Sequence, residues 1–108
     1  MRRIFHLVQR SSWEEAPEEP YAADSLASEG FMHCSNAGQV AGSANRFFAG
    51  LSDVLVLEID PERLTSPLRD EPAGDGQSYP HVYGPINRAA VVAVHQLGKD
   101  AWGKWVSP

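Results

Sequence analysis

The chain has 108 residues, 9 basic and 14 acidic side chains, a net charge of −5 and 43% hydrophobic residues, the profile of one ordinary globular domain spanning 1–108. With a net charge of −5 and no basic run longer than Arg2-Arg3, a general electrostatic grip on nucleic acid is not expected, while a small basic pocket for one phosphate group remains open. No apolar run nears the ~20 residues of a membrane helix, the one after Arg2-Arg3 is too short for a signal peptide, and the lone Cys34 rules out an intrachain disulfide or a cysteine-rich zinc site, so a cytoplasmic protein with no membrane partner is expected.

The first predicted element is a strand over Ile4 to Val8, in which alternation puts His6 on the face of Ile4 and Val8. Ser12 and Glu15 have the spacing of a capping box, predicting a short helix that Pro17 and Pro20 stop. Tyr21 to Gly30 reads as a loop with one turn of helix, and Phe31 to Cys34 as a second strand, with His33 on the face of Phe31. Ser35 or Asn36 then caps a helix whose apolar face is Val40, Ala44, Phe47, Phe48 and Leu51, with Gly50 placed to end it.

Asp53 to Ile59 is the strongest strand, and Asp60-Pro61-Glu62 turns out of it. Leu68 to Glu71 fits a short edge strand and Ala73 to Ser78 a loop. Tyr79 to Ile86 holds two prolines and a glycine and reads as a rigid, irregular segment. Ala89 to Leu97 is the last strand, followed by a tail whose Trp102 and Trp105 are expected to fold back. The order is that of a small α+β domain with a mixed or antiparallel sheet and two helices; a doubly wound dinucleotide fold lacks its G-x-G-x-x-G.

Two segments carry the chemistry. In the first, His33, Cys34, Ser35 and Asn36 fall where a strand gives way to a helix, whose free N–H groups and dipole suit an anion; Arg46, further along the helix, could neutralise it. The plainer alternative is that Ser35 or Asn36 only caps the helix. In the second, Tyr79 to Asn87, the prolines and Gly84 hold His81 and Tyr83 in defined places beside Asn87, with Glu71 the one nearby acid suited to catalysis. A tight turn with Tyr83 as core is the alternative. Cys34 as a nucleophile is disfavoured, since His33 points to the opposite strand face and a small buried thiol is the commoner fate. A metal site from three histidines lacks any H-x-H or H-x3-H pair, so no metal ligands are assigned.

The stretches IFHL, ADSLASEGFMHCS at 23 to 35, ANRFFAG at 44 to 50, LEIDPERL at 57 to 64 and YPHVYGPINRAAVVAV at 79 to 94 together resemble the bacterial domain of unknown function 952 family over nearly the whole chain. The resemblance implies a fold similar to the ADP-ribosyltransferases, including RNA 2′-phosphotransferases, in which early strands bind NAD and a late acid or glutamine polarises the reacting ribose. It implies His6, His33 and Ser35 as ligand contacts. The last strand departs from that pattern, offering His95 and Gln96 but no glutamate.

The expectation is therefore a cleft for a nucleotide-like ligand, with NAD as a candidate cofactor and an ADP-ribosyltransferase-like transfer as a candidate activity. His6, His33, His81 and Tyr83 would be catalytic, and Ser35, Asn36, Arg46, Glu71 and Asn87 would bind the ligand. The alternatives are a non-catalytic binding or interaction module on the same fold, or a metal-dependent enzyme using the histidines.

Overall fold

A computed structural model describes residues 1–107. Three antiparallel strands form the first sheet: β1 (Ile4–Gln9), β3 (Val54–Ile59) and β6 (Val91–Gln96), in the order β1-β3-β6. The second sheet has the order β2-β5-β4, from β2 (Met32–His33), β4 (Leu68–Pro72) and β5 (Ser78–Val82). A short ribbon, β7 (Gly98–Lys99) with β8 (Trp105–Val106), closes the chain. The helices are α1 (Arg10–Glu14), α2 (Asp24–Glu29) and α3 (Val40–Phe47), three short ones where the sequence suggests two.

Among the described residues the backbones of the two sheets pair at one bridge. Phe5 N–H donates to the Ser35 carbonyl (2.8 Å) and Ser35 N–H to the Phe5 carbonyl (2.7 Å), so β1 and the end of β2 touch through a single antiparallel bridge. On either side of it the strands separate. This split in an otherwise continuous sheet is what makes room for a cleft.

Alternation explains the two cores. Ile4 and Val8 on β1 and Leu55, Leu57 and Ile59 on β3 pack with Met32, Cys34 and Val82 of the second sheet. On the opposite face, Val54 and Val56 meet Val40 and Ala44 of α3, Leu97 and Trp105. Buried on both sides, β3 carries the near-continuous apolar run that such a position demands. Burial of this kind contributes about 25 cal/mol per Å2 of apolar surface.

Several local expectations change. Ser12 lies inside α1, which starts after Gln9 with no side-chain cap, because β1 runs into the helix without a break. Ala37–Gln39 forms a 3-10 turn ahead of α3, with Asn36 and Gln39 in a reciprocal capping box. Gly50, with φ +78°, follows two residues after the helix cap at Phe48. The first half of the irregular segment predicted over Tyr79 to Ile86 is instead strand β5, the central strand of its sheet, and only Tyr83 to Ile86 is irregular. Pro80 is tolerated there because its carbonyl accepts from Cys34 N–H (2.9 Å) where β2 leaves β5 for β1, so the missing N–H falls past the end of the ladder. Gly84 has no unusual φ; what it needs is space, since a Cβ there would overlap the Ser66 side chain.

Of the two tail indoles, Trp105 is buried, its Nε1–H donating to the Phe48 carbonyl (2.9 Å), whereas Trp102 stays 84% exposed on the ribbon's turn. Among the described residues no helix is long and apolar enough to cross a membrane.

Candidate functional site

The second sheet is two-faced. Met32, Cys34, Pro80 and Val82 point into the core. By the same alternation Phe31, His33, Arg69, Glu71, Tyr79, His81 and Tyr83 share the other face. His33 and His81 are direct cross-strand partners with ring centroids 5.4 Å apart. Phe31 stacks on His81 at 4.1 Å and lies within 5.4 Å of Tyr83, confining both rings.

Each of these histidines has its own carboxylate. His81 Nδ1–H donates to Glu71 Oε1 (2.8 Å), and the Tyr83 hydroxyl donates to the same oxygen. The Tyr83 and His81 bonds hold the Glu71 carboxyl below the usual carboxylate range, and the Glu71 bond pushes the Tyr83 phenol up. Because a carboxylate only accepts, the proton of a neutral His81 is fixed on Nδ1, leaving Nε2 as a lone pair. His33 Nε2–H donates to Glu29 (2.9 Å). Glu29 is brought there by Gly30, whose φ of +87° ends α2 in the left-handed conformation that glycine tolerates.

His6 is buried on β1. Its Nδ1–H donates to the His33 carbonyl (2.7 Å) across the split, and its ring lies 5.6 Å from that of Tyr21. Burial lowers its pKa to about 4, so the ring is neutral at pH 7 and Nε2 is a bare acceptor.

The split opens into a cleft of about 1020 Å3 lined by His6, Tyr21, His33, Ser35, Arg46 and His81, among others. Ser35 Oγ donates to Ser43 Oγ (3.0 Å), which also lines the cleft. Residues from α1 to Ala23 form one wall, and Arg88 holds that wall by donating to the carbonyls of Trp13 (3.0 Å), Ala16 (2.9 Å) and Glu19 (2.8 Å). Its guanidinium lies 3.8 Å from the centre of the Trp13 ring.

Of the residues singled out from the sequence, His6, His33, His81, Ser35 and Arg46 converge on the cleft. Glu71 and Tyr83 stand behind His81. Asn36 is occupied in the capping box and accepts from Arg2 (3.2 Å), so the helix start is closed by side chains. Asn87 lies elsewhere, accepting from Thr65 N–H (3.1 Å) and donating to the Arg63 carbonyl (2.9 Å), and so pins the chain between β5 and β6. Cys34 is buried on the core face, and burial pushes its thiol up to about 12, outside nucleophilic range. His95 donates to Glu58 (2.8 Å) on the first sheet. Among the described residues no three metal-ligating side chains gather.

Reasoning from sequence missed Tyr21, Glu29, Ser43 and Arg88. Neither of the two that lie near a predicted residue left a distinctive signal: Glu29, four residues before His33, is separated from it by the helix end at Gly30, and Ser43, one turn before Arg46, reads as an ordinary helical serine.

A split antiparallel sheet, with His6, His33 and His81 lining the cleft at the split, defines a small α+β protein. Residues 7–94 match the family described as "Protein of unknown function (DUF952)", and the chain belongs to that family. The chain is similar to protein CC0527 from Caulobacter crescentus. Against the crystal structure of that protein it shows 25% identity and a TM-score of 0.86, covering 96% of this chain and 93% of that one. Against the solution NMR structure it shows 27% identity and a TM-score of 0.78, covering 96% and 91%. No curated protein matches the chain.

Proposed function

We propose that the cleft binds an ADP-ribose-containing or otherwise phosphorylated small molecule, with NAD the first compound to test, and that His81 handles a proton there. The observation behind this reading is the meeting of His6, His33, Ser35, Arg46 and His81 around one opening of about 1020 Å3. Ligand pockets run from roughly 300 to 1,000 Å3, so the size suits a dinucleotide better than a metabolite of a few atoms.

The roles follow from donor and acceptor chemistry. Because the capping box occupies the helix start, the phosphate is assigned to the Ser35–Ser43 hydroxyls and the Arg46 guanidinium. His6 Nε2, a bare acceptor, takes a ribose hydroxyl, and His33 binds beside it. His81 Nε2 is the general base or acid, with Glu71 holding the ring in one tautomer and Tyr83 holding Glu71. The split between β1 and β2 is also where the resemblance to the ADP-ribosyltransferase fold would put NAD. The protein is read as cytoplasmic, without a membrane or general nucleic-acid partner.

A second reading, binding without transfer, is favoured by one feature. β6 carries no acid, and its His95 is tied to Glu58. In that case ligands bind and nothing turns over.

The test is a melting-temperature screen of wild type, His33→Ala and His81→Ala with NAD, ADP-ribose, AMP and a 2′-phosphorylated nucleotide. A ligand at 100 times its Kd stabilises by about 2.7 kcal/mol. The reading expects a rise for NAD or ADP-ribose that His33→Ala abolishes. No rise with any of the four rejects it.

A further inference from the structure

The geometry points to Phe47 as the platform on which the aromatic base of the ligand stacks, with Arg46 beside it for the adjoining phosphate; this rests on the nucleotide reading above. One residue of α3 does not fit its apolar stripe. Val40 and Ala44 are buried against the first sheet, and Phe47, one heptad after Val40, has the spacing to join them. It does not: Phe47 is 65% exposed, while the next residue, Phe48, packs on the core.

Phe47 is exposed at the cleft, which it lines together with Ser43, one helical turn before it on α3, and its neighbour Arg46. The Arg46 guanidinium lies 5.7 Å from the centre of the Phe47 ring, and its one ion pair, with Asp75, is long at 3.9 Å. One strip of helix thus presents a hydroxyl, a lightly paired cation and a wet aromatic ring to the same opening. Trp102, the other strongly exposed aromatic, is not among the cleft-lining residues. Hydroxyl and guanidinium recognise phosphate, and an exposed ring recognises the face of a base. The order along α3 then sets the ligand's direction. Phosphate lies at Ser43 and Arg46, base at Phe47 on the rim, and the remaining sugar toward His33 and His81.

The experiment measures Kd for NAD and ADP-ribose by calorimetry with wild type, Phe47→Leu and Phe47→Trp. Exposure of Phe47 means that neither variant disturbs the core, which equal melting temperatures without ligand confirm. Loss of a base–aromatic stack is expected to weaken both ligands about tenfold or more in Phe47→Leu, which keeps apolar area but no ring. Phe47→Trp is expected to bind at least as well as wild type. Wild-type affinity in Phe47→Leu overturns the inference and leaves the nucleotide reading standing. Absence of binding to wild type overturns both.

Discussion

His81 is the residue on which the chemistry turns, and its behaviour is set by Glu71 and Tyr83. Replacing Glu71 with Gln exchanges the charged hydrogen-bond acceptor that raises the Tyr83 phenol for a weaker, neutral one, so one tyrosine should ionise at lower pH in Glu71→Gln than in wild type. Absorbance titration of tyrosinate near 295 nm checks this; unchanged curves would mean that the Tyr83–Glu71 bond does not form. Cys34, with its thiol raised to about 12 and 4% exposed, should resist a thiol reagent at pH 8 in the native protein and react at once in denaturant. Fast native labelling would place it elsewhere than the core. At this scale the sequence was informative where a short period governs. Alternation in IFHLV and FMHC put His6 and His33 on their proper strand faces, and Glu71 stood out as the one acid near His81. It was uninformative for Glu29 and Ser43, because a surface acid and a helical serine look the same whether or not a cleft lies beside them.

Among the elements, the wall from α1 to Ala23 depends on a side chain far along the chain. Arg88 makes three hydrogen bonds to its carbonyls and stacks on Trp13. Removing it leaves those carbonyls to water and frees the wall. Arg88→Ala should lose roughly 1–3 kcal/mol of stability in urea and become easier to cleave by protease between residues 10 and 23. Arg88→Lys should rescue little, since one ammonium cannot span three carbonyls and lie flat on an indole. Wild-type stability and protease resistance in Arg88→Ala would mean that the wall is held by something else. None of this was visible in the sequence, because the partners lie 69 to 75 residues apart. β3 and β6 were legible from their β-branched runs, and α3 from its period. β5 was misread because two prolines weighed as breakers, whereas Pro80 falls where its sheet partner departs. The apolar stripe of α3 overreached at Phe47, where the helix meets the cleft mouth instead of the core.

For the whole molecule, burial of neutral His6 makes stability depend on pH. Its folded pKa of about 4 lies below the ordinary 6.5, so the unfolded chain binds the extra proton. The contribution is fully present above about 6.5 and is lost as pH falls from there toward 4, by roughly 3 kcal/mol in all. Carboxylates held low, such as Glu71, Asp70 and Asp75, also stop contributing as pH falls further, so the His6 part is isolated by comparison. Urea unfolding at pH 7 and pH 4.5 should show a smaller pH effect in His6→Asn than in wild type; equal effects would mean that His6 is not buried neutral. The α+β class was legible from the order of elements. The splitting of one sheet into two at the Phe5–Ser35 bridge was not, since nothing in local sequence marks where two strands part.

The cleft at that split is the central claim, and calorimetric titration of ADP-ribose into wild type and His33→Ala tests it most directly. The account predicts saturable one-to-one binding to wild type and at least a tenfold weaker association with His33→Ala. Absence of heat and of any melting shift with wild type, at ligand concentrations up to a few millimolar, would contradict it.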